Sequence, residues 1–100
     1  MTWYSVLAVT PTNQDWVPAY VRATNDLVMK HGGIYLARTA SHEQLEGAPE
    51  TAGLRVIIAW PSHEAAKAFM ADPDYAAHLK ARTAGSTSLH FLIEGEDDLA

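Results

Sequence analysis

The stretch Leu54-Arg55-Val56-Ile57-Ile58-Ala59-Trp60 has the composition of a β-strand. β-Branched and aromatic side chains dominate it, and no glycine or proline interrupts it. Apolar residues fall on both alternating faces of this strand, with Arg55 as the exception. Because a sheet with one solvated face alternates apolar and polar side chains, this pattern indicates a sheet that is covered on both sides.

Three further strands and two helical regions are predicted around this stretch. The predicted strands are residues 3–10, 34–39 (with an irregular continuation through Glu43-Gln44-Leu45), 54–60 and 88–94. The first helix is predicted to have Asp15 as its N-cap and to stop at Gly32-Gly33. Its apolar stripe consists of Trp16, Tyr20, Ala23 and Leu27. The second helical region is predicted in two pieces, 62–71 and 73–84, because Asp72 precedes a proline and can cap a new segment.

The element order β-α-β-β-α-β predicts an α+β, ferredoxin-like domain with a four-stranded antiparallel sheet. One hundred residues suit one domain, which we predict over residues 1–95, followed by an acidic tail over 96–100. Two helices cover only one face of such a sheet, and monomers rarely leave a large apolar face in water. Packing against the same face of a second copy removes this exposure, so we predict a homodimer. The alternative is a loop or the tail folded over the sheet, for which the tail is too acidic.

Composition narrows the classes of function. Seven Lys and Arg residues against twelve Asp and Glu give a net charge of −5, and no basic stripe is present to neutralise phosphates, so nucleic acid is not an expected partner. The chain has no cysteine, which excludes thiol nucleophiles, disulfides and cysteine-ligated metals. Neither a signal-peptide pattern nor a run of 18 apolar residues is present. We therefore expect a cytoplasmic protein that has no membrane partner.

A set of short motifs resembles a known family in its order and spacing over residues 3–95. The motifs are Tyr20, Gly32-Gly33, Leu45-Glu46-Gly47, Trp60-Pro61-Ser62, Ala65-Ala66, Phe69, Asp72-Pro73, Tyr75, Arg82 and Ile93-Glu94-Gly95. The sequence resembles the domain-of-unknown-function family 1330, of the dimeric α/β-barrel superfamily. The resemblance implies two ferredoxin-like protomers whose sheets face each other to form a barrel, and no established activity. It departs from the expected pattern at residues 48–52, which lack an aromatic residue, and in its short acidic tail.

Among the titratable residues, His90 is the first candidate for chemistry, because it lies within an apolar strand. It is either a core histidine satisfied by a hydrogen bond or a general base at a cavity. His31 and His63 are expected to be exposed at helix ends. No histidine pair has the spacing of a metal site, so neither a metal nor a cofactor is predicted.

Tyr75 and Arg82 lie two helical turns apart and share a helix face. Together with His90 they form the predicted catalytic set, and the predicted substrate-binding set is Tyr20, Arg38, Glu46 and Arg55. Each has a structural alternative: core packing for the tyrosines, a salt bridge to an acid for the arginines, and, for Glu46, acceptance of backbone N–H groups at a turn or a salt bridge to an arginine. Arg55 is expected to pair with Glu46, with Glu94 or with a carboxylate of a second subunit when it has no ligand.

Two functions remain open at this point. The first is a homodimeric small-molecule-binding protein with a pocket edged by Tyr20, Tyr75, Arg82 and His90. Such a protein would act as a cofactor-independent enzyme of the monooxygenase, isomerase or lyase type, and its substrate would be a small acidic or aromatic metabolite. The alternative is a non-catalytic ligand-binding or structural dimer. Fold alone does not choose between them, because one fold supports many functions.

Overall fold

The computed structural model describes residues 1–100 and contains four strands and three helices. These are β1 (Trp3–Pro11), α1 (Val17–Lys30), β2 (Ile34–Thr39), β3 (Leu54–Trp60), α2 (His63–Met70), α3 (Pro73–Ala84) and β4 (Ser86–Glu94). The strands form one antiparallel sheet in the order β2-β3-β1-β4. This order and the helix positions confirm the predicted α+β, ferredoxin-like fold. No helix combines the length and the apolar character needed to cross a lipid bilayer.

The structure differs from the sequence predictions at three element boundaries. Helix α1 begins at Val17 with Trp16 as its N-cap, so the prediction that Asp15 is the N-cap was wrong. The backbone N–H of Asp15 instead donates to Asn13 Oδ1 at 3.1 Å, which holds the turn before the helix. Strand β2 ends at Thr39, and β4 begins at Ser86, two residues earlier than predicted, because Ser86 pairs with the end of β1.

Residues 43–45 do not continue β2 as a strand. In this loop the side-chain amide of Gln44 donates to the backbone carbonyl oxygens of Glu46, at 3.1 Å, and Ala48, at 2.7 Å. Its own carbonyl oxygen accepts from Glu50 N at 3.1 Å. The loop therefore closes on itself instead of pairing with the sheet, and this local use of side-chain hydrogen bonds is the usual competitor of strand formation.

The predicted break between α2 and α3 is confirmed. Ser62 caps α2 by accepting from Ala65 N at 3.0 Å, and Asp72 caps α3 by accepting from Asp74 N at 2.9 Å. Asp72 also joins the break to the end of α1. Its Oδ2 lies 2.8 Å from Lys30 Nζ and 2.7 Å from His31 Nε2. His31 is therefore half-buried at an interhelix contact, and the prediction that it is an exposed helix-end residue was wrong.

The end of α1 packs tightly against β3 because two glycines follow the helix. Gly32 has a φ of +78°, in the left-handed region that glycine adopts without strain. A Cβ at Gly33 would lie 2.7 Å from both Trp60 and Val28. Only a residue without a side chain allows α1 to approach the sheet this closely.

The hydrophobic core lies between the sheet and the helices. Alternate residues of β1 and β3 point toward the helices and meet apolar residues of α1, α2 and α3. The buried apolar residues are Leu7, Val9, Leu27, Val28, Val56, Ile58, Trp60, Ala66, Phe69 and Tyr75. The core therefore buries one of the two apolar faces of β1 and β3.

The other parity forms an exposed apolar face, which we call the outer face. Its exposed large apolar residues are Val6, Ile34, Leu36, Ile57, Leu89, Phe91 and Ile93. Ile34 and Phe91 are 64% and 62% exposed. No helix covers this face, and Glu50, from the loop between β2 and β3, lies 3.5 Å from Arg55 on it. The sheet is therefore apolar on both sides, as the sequence pattern predicts.

Candidate functional site

A small cavity lies between the helix layer and the sheet, and five of the seven predicted site residues line it. Its volume is about 90 Å³, and most of its wall is apolar. Tyr20 reaches it from α1, Tyr75 and Arg82 from α3, and His90 from β4. Helical spacing places Tyr75 and Arg82 on the inner face of α3, and strand parity turns His90 toward the helices. We call this space the inner cavity.

Arg82 carries a positive charge into the inner cavity without a protein counter-charge. The residue is 3% exposed. No carboxylate lies within 4.0 Å of its guanidinium, and its Nε has no hydrogen-bond partner. The centroid of the Tyr20 ring lies 5.9 Å from Cζ, and the neighbouring Tyr20 and Tyr75 hydroxyl groups also favour the charged guanidinium. A buried guanidinium that has no counter-charge is costly, so this group is the clearest indication of an anionic ligand.

The hydroxyl groups of Tyr20 and Tyr75 form a pair at the same cavity, with 2.6 Å between the oxygens. One hydroxyl donates to the other, which leaves the second hydrogen without a protein acceptor. Burial, together with the neighbouring Tyr75 hydroxyl, raises the pKa of Tyr20 well above its ordinary value. Tyr20 therefore stays protonated at neutral pH, and the pair of hydroxyl groups offers one donor to a ligand.

The imidazole of His90 is uncharged at neutral pH. Burial lowers its pKa to about 4, with a further contribution from the positive charge of Arg82. Its Nε2 lies 2.8 Å from Ser5 Oγ, and Nδ1 has no protein hydrogen-bond partner. A neutral imidazole beside a guanidinium is suited to neutral hydrogen bonding and has little affinity for a further proton.

Ser5 contacts the site through His90, without lining the inner cavity itself, and it was missed at the sequence level. It is 1% exposed, and its Oγ accepts a hydrogen bond from Trp60 Nε1 at 2.8 Å. Its position in the strand could have indicated this role. Ser5 lies on the same face of β1 as Leu7 and Val9, so its polar side chain enters the core, where it needs hydrogen-bond partners.

A second, more open cavity of about 300 Å³ lies beside α2 and shares only His90 with the inner cavity. Ser5, His63 and Lys67 give it a more polar lining. The His90 side chain thus separates an apolar space from a polar one.

The three remaining predicted binding residues lie at the margin of the inner cavity or outside it. Arg38 borders the inner cavity, but its guanidinium donates to Asn25 Oδ1 at 2.7 Å and stacks 4.0 Å from the Tyr35 ring centroid. Arg55 lies on the outer face, where its Nη2 is 3.5 Å from Glu50 Oε1. Glu50 was not among the partners expected for Arg55.

Glu46 also lies apart from the inner cavity, in the exposed loop between β2 and β3, and has no ion-pair partner. The structure thus brings together Tyr20, Tyr75, Arg82 and His90, with Arg38 at the margin, and leaves out Arg55 and Glu46.

Comparison with known families assigns the chain to a protein family. The sequence pattern of the family described as a domain of unknown function (DUF1330) matches residues 2–96. The chain belongs to the DUF1330 family. This confirms the resemblance described above. No protein of curated function matches the sequence.

Several solved structures share the fold. RPA0582, a protein of unknown function from Rhodopseudomonas palustris, is similar with a TM-score of 0.81 and 18% identity, over 96% of this chain and 83% of that one. A mutant form of SnoaB, a cofactor-independent oxygenase from Streptomyces nogalater, is similar with a TM-score of 0.65 and 23% identity, over 98% of this chain and 96% of that one. At these identities the likeness shows the fold alone.

Proposed function

We propose that this DUF1330 protein is a homodimer that binds a small acidic or aromatic metabolite in the inner cavity and acts on it as a cofactor-independent enzyme of the monooxygenase, isomerase or lyase type. The observation that carries the proposal is the buried guanidinium of Arg82, which has no counter-charge in an otherwise apolar cavity. The cytoplasmic location of the protein stays a prediction from the sequence.

The ligand class follows from the lining. An anionic oxygen at Arg82 supplies the missing counter-charge and gains a charge-assisted hydrogen bond. The tyrosine pair and His90 supply neutral polar contacts, and the apolar wall suits an aromatic ring or a short hydrocarbon body. The cavity volume of about 90 Å³ favours a small compound.

The same groups support chemistry that passes through an oxyanion. Fixed donors in a mostly apolar cavity stabilise the negative oxygen of an enolate or a phenolate more strongly than water does. Monooxygenases, isomerases and lyases that work without a cofactor need such stabilisation. SnoaB, which shares the fold, is a cofactor-independent oxygenase, and this supports the same type of chemistry here.

The outer face supports the homodimer. Seven large apolar residues between 37% and 64% exposed lie on one side of the sheet. A second copy that presents the same face buries both sheets in a symmetric interface. In the superfamily that the sequence resembles, this arrangement forms the α/β barrel.

A non-catalytic ligand-binding dimer is the second candidate. The observation in its favour is that His90 Nε2 is already bonded to Ser5 Oγ, as in a purely structural core histidine. Turnover decides between the two candidates, while anion binding in the inner cavity is common to both.

The test compares carboxylates with their neutral amides. Because Trp16 lines the inner cavity, its fluorescence reports binding of butyrate and benzoate against butyramide and benzamide. We expect at least one carboxylate to bind tenfold more tightly than its amide. In Arg82→Gln this preference disappears, whereas Arg22→Gln, which removes an equal charge from the exposed face of α1, retains it.

Equal affinity of the wild-type protein for acid and amide contradicts the proposal. If Arg82→Gln does not fold, the wild-type preference decides the ligand class by itself. Oxygen consumption or loss of the bound compound, followed on the same protein, then separates the enzyme from the binding dimer.

A further inference from the structure

The side chains of Trp60, Ser5 and His90 form a buried hydrogen-bonded chain across β3, β1 and β4. Trp60 Nε1 lies 2.8 Å from Ser5 Oγ, and Ser5 Oγ lies 2.8 Å from His90 Nε2. Ser5 and Trp60 are each 1% exposed. An indole nitrogen can only donate, so the first bond has one direction: Trp60 donates and the serine oxygen accepts.

This direction determines the next bond. The Ser5 hydroxyl has one hydrogen, and His90 Nε2 is the only protein atom placed to accept it. If Nε2 carried a hydrogen, the serine oxygen would accept twice and its own hydrogen would be buried without an acceptor, which is costly. Ser5 therefore donates to Nε2, and Nε2 presents its lone pair.

The position of the remaining imidazole proton follows. A neutral imidazole has one N–H, and burial beside Arg82 keeps His90 neutral. With the lone pair on Nε2, the hydrogen lies on Nδ1, which has no protein partner. Nδ1 is thus a donor, as is the guanidinium of Arg82.

We propose that Ser5 is a positioning residue that holds His90 in its Nδ1–H form, so that His90 donates a hydrogen bond to an anionic ligand oxygen and does not act as a base. The inference rests on the proposed function for its ligand and narrows the substrate class. The site selects compounds that arrive already ionised, namely carboxylates, acidic enols and acidic phenols.

The tautomer is measurable without any ligand. In protein labelled with ¹⁵N-histidine, long-range ¹H–¹⁵N correlation at neutral pH distinguishes a protonated ring nitrogen from an unprotonated one. We expect His90 to have a protonated Nδ1 and an unprotonated Nε2. Ser5→Ala shifts the population toward the Nε2–H form, and Ser5→Thr, which keeps a hydroxyl, restores the Nδ1–H form.

An Nε2–H form in the wild-type protein overturns the inference, and so does an unchanged tautomer in Ser5→Ala. If Ser5→Ala does not fold, the wild-type spectrum alone decides whether Nδ1 carries the proton. Because this readout uses ligand-free protein, it is independent of whether the proposed function holds.

Benzoate and butyrate titrations supply the functional readout. Loss of the Nδ1–H donor in Ser5→Ala is expected to weaken carboxylate binding about ten- to a hundredfold, the usual effect of one hydrogen bond to a charged group. Binding of the matching amides changes less, and Ser41→Ala, in the exposed loop, changes neither. Absence of carboxylate binding in the wild-type protein would count against the proposed function and leave the tautomer result intact. Equal weakening for acids and amides would show that Ser5 acts only through the packing of the site.

Discussion

The phenolic oxygens of Tyr20 and Tyr75 lie 2.6 Å apart, which makes this hydrogen bond the polar link between α1 and α3 at the inner cavity. Both hydroxyl groups belong to side chains that otherwise pack into the core: Tyr75 is 1% exposed, and its ring lies 4.3 Å from that of Phe69. The pair therefore joins two functions, since it holds the helices together and presents a donor to the cavity.

Removal of one hydroxyl leaves the other buried without its partner. We expect Tyr20→Phe and Tyr75→Phe each to lower the free energy of unfolding by about 1 kcal/mol. The double variant loses less than the sum of the two, because it leaves no orphan hydroxyl. Urea denaturation at one fixed protomer concentration measures all three variants, and strict additivity would show that the two hydroxyl groups do not depend on each other.

The sequence was sufficient to predict the element order and the inner face of α3, because helical spacing and strand parity decide which residues share a side. It could not place Arg55, since β3 is apolar on both parities and nothing in the pattern says which side the helices cover. Ser5 was missed for a related reason: its partners Trp60 and His90 are 55 and 85 residues away, and only the strand register brings them together. Likewise, the sequence does not show that Arg82 lacks a counter-charge, because this requires the positions of all Asp and Glu side chains in the folded protein.

The outer face yields a prediction about assembly. Phe91→Asp places a charge on an apolar residue that is 62% exposed in the protomer, and in a symmetric dimer both copies bury this charge. We expect light scattering after size exclusion to change from twice 10.9 kDa to 10.9 kDa. Met29→Asp, at an exposed apolar residue of α1, is the matched control and remains dimeric. A Phe91→Asp dimer, or a wild-type monomer, would contradict the proposed interface.

The hydrogen bonds of Asp72 lead us to expect that the free energy of unfolding decreases at acidic pH. Its side chain is 4% exposed, and hydrogen bonds from Lys30 and His31, followed by that from Asp74 N, hold the pKa of its carboxyl far below the ordinary value of 3.8. Because the unfolded chain takes up the proton more readily, this stabilisation is complete above about pH 4 and is lost as the pH falls further.

The comparison of Asp72→Asn with Asp74→Asn isolates this contribution. Asp72→Asn is less stable than the wild-type protein at neutral pH, and its melting temperature falls less steeply below pH 4. Asp74 is exposed and lies 3.8 Å from Lys30, so Asp74→Asn retains the wild-type profile. Parallel curves for wild type and Asp72→Asn would mean that another carboxylate controls the acid transition.

The titration of His90 tests the electrostatics of the inner cavity directly. Its pKa of about 4, against an ordinary 6.5, arises from burial first and from Arg82 second. Histidine ring resonances should therefore show His90 uncharged at pH 6. Arg82→Gln removes the nearby charge and raises the pKa toward the ordinary value, while Arg38→Gln, at the margin of the same cavity, leaves it near 4. An unchanged titration in Arg82→Gln would show that burial alone keeps the ring neutral.

The same shift gives stability a defined pH dependence. Between pH 6.5 and 4 the unfolded chain binds a proton at His90 and the folded protein does not, so this residue makes the free energy of unfolding rise with pH. His90→Gln, which cannot take up a proton, removes that slope, whereas His78→Gln on α3 keeps it. Urea midpoints at pH 4.5 and 7 are sufficient to measure the difference. If His90→Gln and the wild-type protein lose equal stability between these values, His90 is protonated in the folded state and cannot lie as a neutral donor beside Arg82.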